Sequence, residues 1–141
     1  MSEQVLYQLF HREFHHQLIE QKELILTAVQ AESFTKWHSS KRKIARKEVA
    51  DTTWIKTCTG GYITEVKFHN DGTLNEYRLF DRFPTSGCWS LEGGLLYVEI
   101  AKGENKYQFT VVGNGEVNIH SAIEYKNEEL HSYLKLAQVK A

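Results

Sequence analysis

The sequence predicts an α+β protein in which an N-terminal amphipathic helix, or two, precedes an eight-stranded antiparallel meander closed as a barrel. Three observations predict this class. All nine glycines lie within residues 60–115, and none occurs in residues 1–59. Apolar residues of the first 40 positions recur at three- and four-residue intervals, the period of an amphipathic helix. After residue 51, turn-forming residues arrive every eight to twelve positions, which is typical of a meander.

The helical segment, residues 1–40, has an apolar stripe and then a second apolar group after a polar run. No Gly or Pro marks a break, so one bent helix and two separate helices both fit the pattern. The stripe consists of Leu6, Leu9, Phe10, Phe14 and Leu18, and the second group of Leu24, Ile25, Ala28 and Val29.

Residues 41–50 form a basic connector, with five cations in the seven residues 41–47. No aromatic residue that could stack on bases is interleaved with them, so a solvated connector is favoured over a nucleic-acid site. We treat 1–141 as a single domain, because neither the helical segment nor the β segment, residues 51–141, can bury its apolar face alone.

Composition excludes several other classes. The chain has 17 Lys+Arg against 18 Asp+Glu and no apolar run near the ~20 residues of a membrane span. The N-terminus lacks the basic and apolar regions of a secretory signal, and Cys58 and Cys88 do not make a disulfide framework. A cytoplasmic location is expected.

The meander is predicted to pair in defined registers. A two-residue turn at Asp71-Gly72 sets Glu65 opposite Arg78 and Lys67 opposite Glu76 on an outer face. In the last hairpin, the predicted pairs are His120 with Lys135, Ala122 with Tyr133, and Glu124 with His131. The eight predicted strands span residues 52–58, 61–69, 73–81, 86–92, 95–101, 106–112, 116–125 and 129–138.

The runs Phe68-His69-Asn70-Asp71-Gly72-Thr73 and Gly87-Cys88-Trp89-Ser90-Leu91-Glu92-Gly93-Gly94-Leu95 resemble those of small bacterial lipocalin-like (calycin-like) domains. Those domains share an aromatic-x-x-Asp-Gly-Thr hairpin and a later Gly-x-Trp strand that leads into an apolar one. The resemblance covers residues 51–141. Here the Gly-x-Trp falls in the fourth predicted strand rather than the first. The late-strand arginine of lipocalins has no counterpart, since the last predicted strand offers only Lys135. The resemblance implies a meander barrel with an apolar cavity.

Alternation places six polar-tipped residues on the apolar face of the meander, where they would line a small-molecule site. Ordinary core residues with satisfied hydroxyls are the alternative. The six candidate ligand-binding residues are Tyr62, Thr64, Tyr77, Trp89, Tyr107 and Ser121. No cofactor or metal is expected, since His11 and His15 share a helix face without an assignable third ligand and no Gly-rich loop precedes a helix.

The function predicted from these features is non-enzymatic binding of a small apolar or aromatic molecule inside the barrel. One alternative is a protein-interaction or homodimerisation module that uses the N-terminal helix. A second is an enzyme on an NTF2-like cone fold. Catalysis is not favoured, because Glu124 and His131 are expected to form an exposed cross-strand pair and Ser121 has no inward histidine beside it.

Overall fold

The computed structural model describes residues 2–15, 18, 20, 28–78 and 84–139. It shows two N-terminal helices followed by an eight-stranded antiparallel barrel, which confirms the predicted class. The helices are α1 (Ser2–His15) and α2 (Ala28–Ser39), and a 3₁₀ turn spans Arg46–Glu48. The strands are β1 (Lys41–Arg42), β2 (Thr52–Cys58), β3 (Ile63–Phe68), β4 (Thr73–Arg78), β5 (Thr85–Glu92), β6 (Leu95–Lys102), β7 (Asn105–Asn114), β8 (Ile119–Lys126) and β9 (Glu129–Gln138).

Strands β2 to β9 form the barrel, each pairing with the next along the chain. Closure comes from β9 pairing back onto β2, where Trp54 lies opposite Gln138 and Cys58 opposite Leu134. A closed barrel leaves no free edge among these strands. The two-residue strand β1 adds to the end of β7 outside this ring. Ranges 52–78 and 84–139 contain no helix between strands, unlike an NTF2-like cone.

Two apolar clusters account for the core. The first lies inside the barrel and includes the fully buried Trp54, Val66 and Leu96. The second lies between the helices and the outer face of β6 to β9, where Leu9 and Phe10 of α1 are completely buried. Most of the predicted stripe therefore packs within the chain, while Phe14 is 50% exposed. Docking of a partner or a second copy through the helix stays a prediction. The group at Leu24 and Ile25 lies outside the described residues.

The basic connector closes one end of the barrel. Ile44 and Val49 are buried in the interior cluster, and Trp54 Nε1 donates a hydrogen bond to the Glu48 carbonyl at 3.1 Å. Arg46 lies over the Trp89 ring, 4.9 Å from its centroid. The connector is therefore not simply a solvated segment. Its apolar residues are buried at one end of the barrel, while most of its cations face water.

The predicted register of the β3–β4 hairpin is wrong by one residue. Phe68 pairs with Leu74 and Thr64 with Arg78, so the loop has three residues rather than two. Gly72 makes this loop possible because it adopts a φ of +90°, which side chains rarely allow. Glu65 and Lys67 therefore face Tyr77 and Asn75 instead of Arg78 and Glu76.

The predicted register of the last hairpin holds only next to its turn. Tyr125 pairs with Leu130, but a bulge between Glu124 and Tyr125 shifts every pair beyond it by one residue. Glu124 consequently lies opposite Ser132, and the predicted His120–Lys135, Ala122–Tyr133 and Glu124–His131 pairs are wrong. The physical consequence of both shifts is the same: a one-residue slip moves a side chain to the other face of the sheet. Glu76 and Glu124 thereby enter the barrel.

Glu13 joins the two helices to the barrel wall. Its carboxylate accepts hydrogen bonds from Trp37 Nε1 at 2.8 Å, Ser121 Oγ at 2.8 Å and Tyr133 OH at 2.5 Å. Burial would raise the pKa of Glu13, but these hydrogen bonds and the nearby Lys41 ammonium outweigh burial and lower the pKa to about 2. The contact therefore depends on a charged carboxylate. Neither described helix is long and apolar enough to cross a membrane.

Candidate small-molecule site at the barrel mouth

The two ends of the barrel interior differ in chemistry. Aromatic side chains fill the end next to the connector, where the Trp54 and Phe68 rings meet edge to face at 5.6 Å. The other end holds a cavity of about 290 Å³, here called the mouth pocket. Its lining is largely polar, with four cations, one carboxylate and two tyrosines. The lining residues are Lys56, Cys58, Tyr62, Thr64, Arg78, Lys102, Tyr107, Glu124, Lys126, His131 and Leu134.

A buried ion pair forms the floor of the mouth pocket. Lys56 Nζ lies 2.5 Å from Glu76 Oε2 and 3.7 Å from Glu124 Oε2, and all three residues are less than 10% exposed. Strand alternation explains the position of Lys56, because it shares the inner face of β2 with Trp54. Charges in a barrel interior are costly unless they are paired, so this arrangement requires all three groups together.

Glu76 is the more closely paired of the two buried carboxylates, although its Oε1, like Oε2 of Glu124, accepts no well-aligned hydrogen bond. It accepts a hydrogen bond from Thr64 Oγ1 at 2.8 Å, and Lys102 Nζ lies 2.9 Å from its second oxygen. Burial would raise the pKa of Glu76, but the positive charges of Lys56 and Lys102 lower it below its ordinary value of 4.5. Glu76 is therefore a charged residue with two cationic partners.

The Glu124 carboxylate has fewer and longer polar contacts than that of Glu76. Oε1 accepts a long hydrogen bond from Ser132 Oγ at 3.3 Å, and His131 Nε2 lies 3.9 Å away, beyond hydrogen-bond distance. Oε2 is buried and accepts no hydrogen bond. The closest cation to Oε2, Lys56, is itself nearer to Glu76. Glu124 therefore lines the pocket as a residue, while its Oε2 is itself almost fully enclosed by the protein.

Two cations stand at the rim of the pocket, Arg78 and Lys126. In the described part of the chain, neither Arg78 nor Lys126 has a carboxylate within 4.0 Å. Instead, Arg78 lies 6.0 Å from the centroid of the Tyr62 ring, and Lys126 lies 5.7 Å from that of Tyr107. Four lining cations against Glu124 and the Glu76 beneath them leave a net charge of +2, not counting His131. A positive pocket of this kind attracts anions.

The structure brings three of the six predicted site residues together. Tyr62, Thr64 and Tyr107 all line the mouth pocket. Tyr62 is 64% exposed at the rim, whereas Thr64 is buried and bonded to Glu76. Tyr107 is half-buried, with Lys102 5.2 Å from its ring centroid. These three contribute ring faces and one hydroxyl to a site whose charges were not predicted.

The other three predicted residues lie elsewhere. Trp89 belongs to the apolar end of the interior, where its Nε1 donates to the His69 carbonyl at 2.9 Å. Tyr77 is on the outer face beside Lys67, because the β4 register differs from the predicted one. Ser121 lies outside the barrel beneath α1, bonded to Glu13. A role of any of the six in ligand binding stays a prediction.

Sequence reasoning missed Lys56, Glu76 and Glu124. Lys56 was detectable, since it alternates with Trp54 and Cys58 along one predicted strand. The two glutamates were assigned to the outside because their registers were wrong. For metal binding, the described residues contain no group of three or more His, Cys, Asp or Glu side chains that could hold an ion. His11 is buried in α1, and the His15 side chain lies outside what the structure describes.

Compared with models of known families, with curated proteins and with solved structures, the chain matches none. The fold and the pocket define its class directly. It is a small antiparallel barrel, with helices against its wall and a positively charged pocket at one end.

Proposed function

We propose that the protein binds a small anionic molecule in the mouth pocket. The observation that carries this proposal is the excess of positive charge at a concave site. Among the described residues, neither Arg78 nor Lys126 has a carboxylate within 4.0 Å, and Lys56 and Lys102 line the same pocket. A cavity lined by one sign of charge raises the local concentration of the opposite ion. Cations held over tyrosine rings are also preorganised, which lowers the entropy cost of binding.

The cavity sets the size of the ligand. About 290 Å³ is near the lower limit of ~300 Å³ for small-molecule pockets, so one ring or short chain with an acid group fits. Tyr62 and Tyr107 offer faces on which such a ring can pack. Trp54, Phe68 and their neighbours occupy the apolar end, so the ligand lies at the mouth rather than deep in the barrel. The proposed ligand is therefore a small aromatic acid.

The proposed kinship with lipocalin-like barrels is compatible with this site. An eight-stranded barrel is wide enough to hold one small ligand, and lipocalins use their interior in this way. The kinship rests on the meander topology and on two residue runs. Run 68–73 forms the β3–β4 turn, and run 87–95 covers most of β5 and the turn into β6.

The test is a titration with three probes of similar size and different charge: benzoate, benzyl alcohol and benzylammonium. Binding is measured by calorimetry and mapped by amide chemical shifts. We expect benzoate to bind best and to shift amides of β3, β4 and β8 around the pocket. In the double variant Arg78→Gln/Lys126→Gln, benzoate affinity should fall at least tenfold. The control Lys67→Gln removes an exposed cation from the outer face and should leave affinity unchanged.

Three outcomes contradict the proposal. The first is a preference for the alcohol or the ammonium over benzoate. The second is the absence of saturable anion binding at millimolar benzoate and inorganic phosphate. The third is a folded double variant with unchanged benzoate affinity, which would place the anion elsewhere.

A further inference from the structure

The mouth pocket repeats one arrangement of charge on two opposite walls. In the closed ring of strands, three strands lie between β4 and β8 on either side, so β4 and β8 stand across the barrel from each other. Strand β4 carries the buried Glu76 and then Arg78, and β8 carries the buried Glu124 and then Lys126. Because side chains alternate along a strand, each cation shares the inner face with the glutamate below it and lies nearer the mouth.

A tyrosine accompanies each of the two rim cations. Arg78 lies 6.0 Å from the centroid of the Tyr62 ring, next to the start of β3. Lys126 lies 5.7 Å from the centroid of the Tyr107 ring, and the two residues are paired between β8 and β7. All four residues line the mouth pocket. The pocket therefore has a cation–tyrosine pair on each of two opposite walls.

The charges below the rim are already balanced. Lys56 and Lys102 lie within 4.0 Å of the two buried glutamates, so the floor of the pocket is neutral as a group. Arg78 and Lys126 are the surplus, and no carboxylate of the described residues lies within 4.0 Å of either. A ligand with two negative charges, one for each wall, is therefore complementary to this pocket.

The positions of the two cations favour two separate acid groups over one. Each cation lies beside its own tyrosine, on strands across the barrel from each other, so a single acid group held against one cation lies on the opposite side from the other. A ring or a short chain with an acid group at each end can reach both walls.

We propose that the ligand is a small dicarboxylic acid, with one carboxylate against Arg78 and the other against Lys126. This inference rests on the proposed anion site and specifies its ligand class. The guanidinium of Arg78 offers paired N–H donors to one carboxylate, and the ammonium of Lys126 offers a compact charge to the other. Binding of the first carboxylate holds the second close to its cation, which raises the affinity of the whole ligand.

The experiment compares the three benzenedicarboxylates with their monomethyl esters and with benzoate, by calorimetry on the intact chain at neutral pH. Each ester keeps the ring and its substitution pattern but carries one negative charge instead of two. We expect at least one dicarboxylate to bind about tenfold more tightly than its ester and than benzoate. Phenyl phosphate, which carries its negative charge on a single group, should bind less tightly than that dicarboxylate.

Single variants locate the two carboxylates. Arg78→Gln and Lys126→Gln each leave one rim cation, so in either variant the dicarboxylate should bind no better than its ester. Benzoate can use either wall and should lose less affinity than the dicarboxylate does. If one variant does not fold, the other still tests the inference. The control Lys106→Gln removes a cation that pairs with Glu99 on the outer face, so the preference for the dicarboxylate should be unchanged.

The outcomes separate the two proposals. If neither benzoate nor any of its derivatives binds, the anion site itself is refuted and the dicarboxylate inference falls with it. If benzoate binds but no dicarboxylate binds more tightly than its ester, the anion site stands and the inference is overturned. The inference is equally overturned if phenyl phosphate binds most tightly, or if the preference for the dicarboxylate persists in either folded single variant.

Discussion

Replacing Glu13 with Gln should destabilise the protein in a pH-dependent way. The substitution keeps the side-chain volume and removes one charge from the contact of the two helices with the barrel. The carboxylate is only 16% exposed, and its partners are Trp37, Ser121 and Tyr133, with Lys41 Nζ at 3.3 Å. An amide can still accept the Trp37 hydrogen bond, but it loses the attraction of the lysines.

The magnitude follows from the pKa of Glu13. Folding lowers it from 4.5 to about 2, and each pH unit corresponds to about 1.4 kcal/mol. The charged carboxylate therefore adds about 3 kcal/mol to the free energy of unfolding at neutral pH, compared with its protonated form. We expect Glu13→Gln to lose about 2–3 kcal/mol at pH 7, a large share of the ~5–15 kcal/mol typical of domains.

The sign of the pH dependence distinguishes charge from packing. Because the folded-state pKa is below the unfolded-state pKa, the contribution is complete above pH 4.5 and is lost as the pH falls towards 2. Urea unfolding of wild type and variant at pH 7 and pH 3 measures it. Their stability difference should shrink to under half at pH 3, while other carboxylates titrate in both proteins and cancel.

A difference of equal size at the two pH values would refute the reasoning, since it would show that shape, not charge, holds the helices. The control Glu104→Gln changes an exposed carboxylate between β6 and β7 and should alter stability little at either pH.

Further predictions concern the barrel interior. Gly87→Ala should lower the free energy of unfolding by about 3 kcal/mol or more, because the new Cβ would lie 2.1 Å from the Glu99 carbonyl oxygen. Urea unfolding measures this loss, and a decrease below about 1 kcal/mol would contradict the prediction. Lys56→Met should cost about 3–5 kcal/mol at pH 7 by leaving two buried carboxylates short of their cation. Urea unfolding at pH 7 measures this loss, and a loss below about 1 kcal/mol would argue against the ion pair. In a Cys88→Ser background, benzoate should slow the reaction of Cys58 with a thiol reagent, since Cys58 lines the mouth pocket; an unchanged rate would exclude ligand from that wall.

The architecture could be predicted from the sequence because local residue patterns determine which segments form helices, strands and turns. The three- and four-residue period of the first segment predicts helix, and the regular spacing of turn residues predicts the meander. All eight barrel strands, β2 to β9, overlap the predicted ones. Closure was expected but not fixed by the sequence, since eight strands with one apolar face need either a cover or a ring. The pairing of β9 with β2 decides for the ring.

The candidate site was only partly accessible. Tyr62, Thr64 and Tyr107 lie at the pocket as alternation predicts, because alternation within one strand is a local property. Glu76 and Glu124 were placed outside, since an isolated strand offers no reason to bury a carboxylate. That reason lies in other strands: Lys56 on β2 and Lys102 on β6.

The sequence by itself therefore determined the kinds of element, their order and the positions of the turns. Tertiary structure alone decided the registers and, through them, what the barrel contains. A three-residue loop with Gly72 at a φ of +90° and a bulge at Glu124 each shift pairing by one residue. The backbone conformation of a turn is set by the strands that it joins as well as by its own residues. Side chains alternate between the two faces of a strand with a period of two. These one-residue shifts therefore place Glu76 and Glu124 inside the barrel, at the floor and wall of the mouth pocket, rather than on the surface.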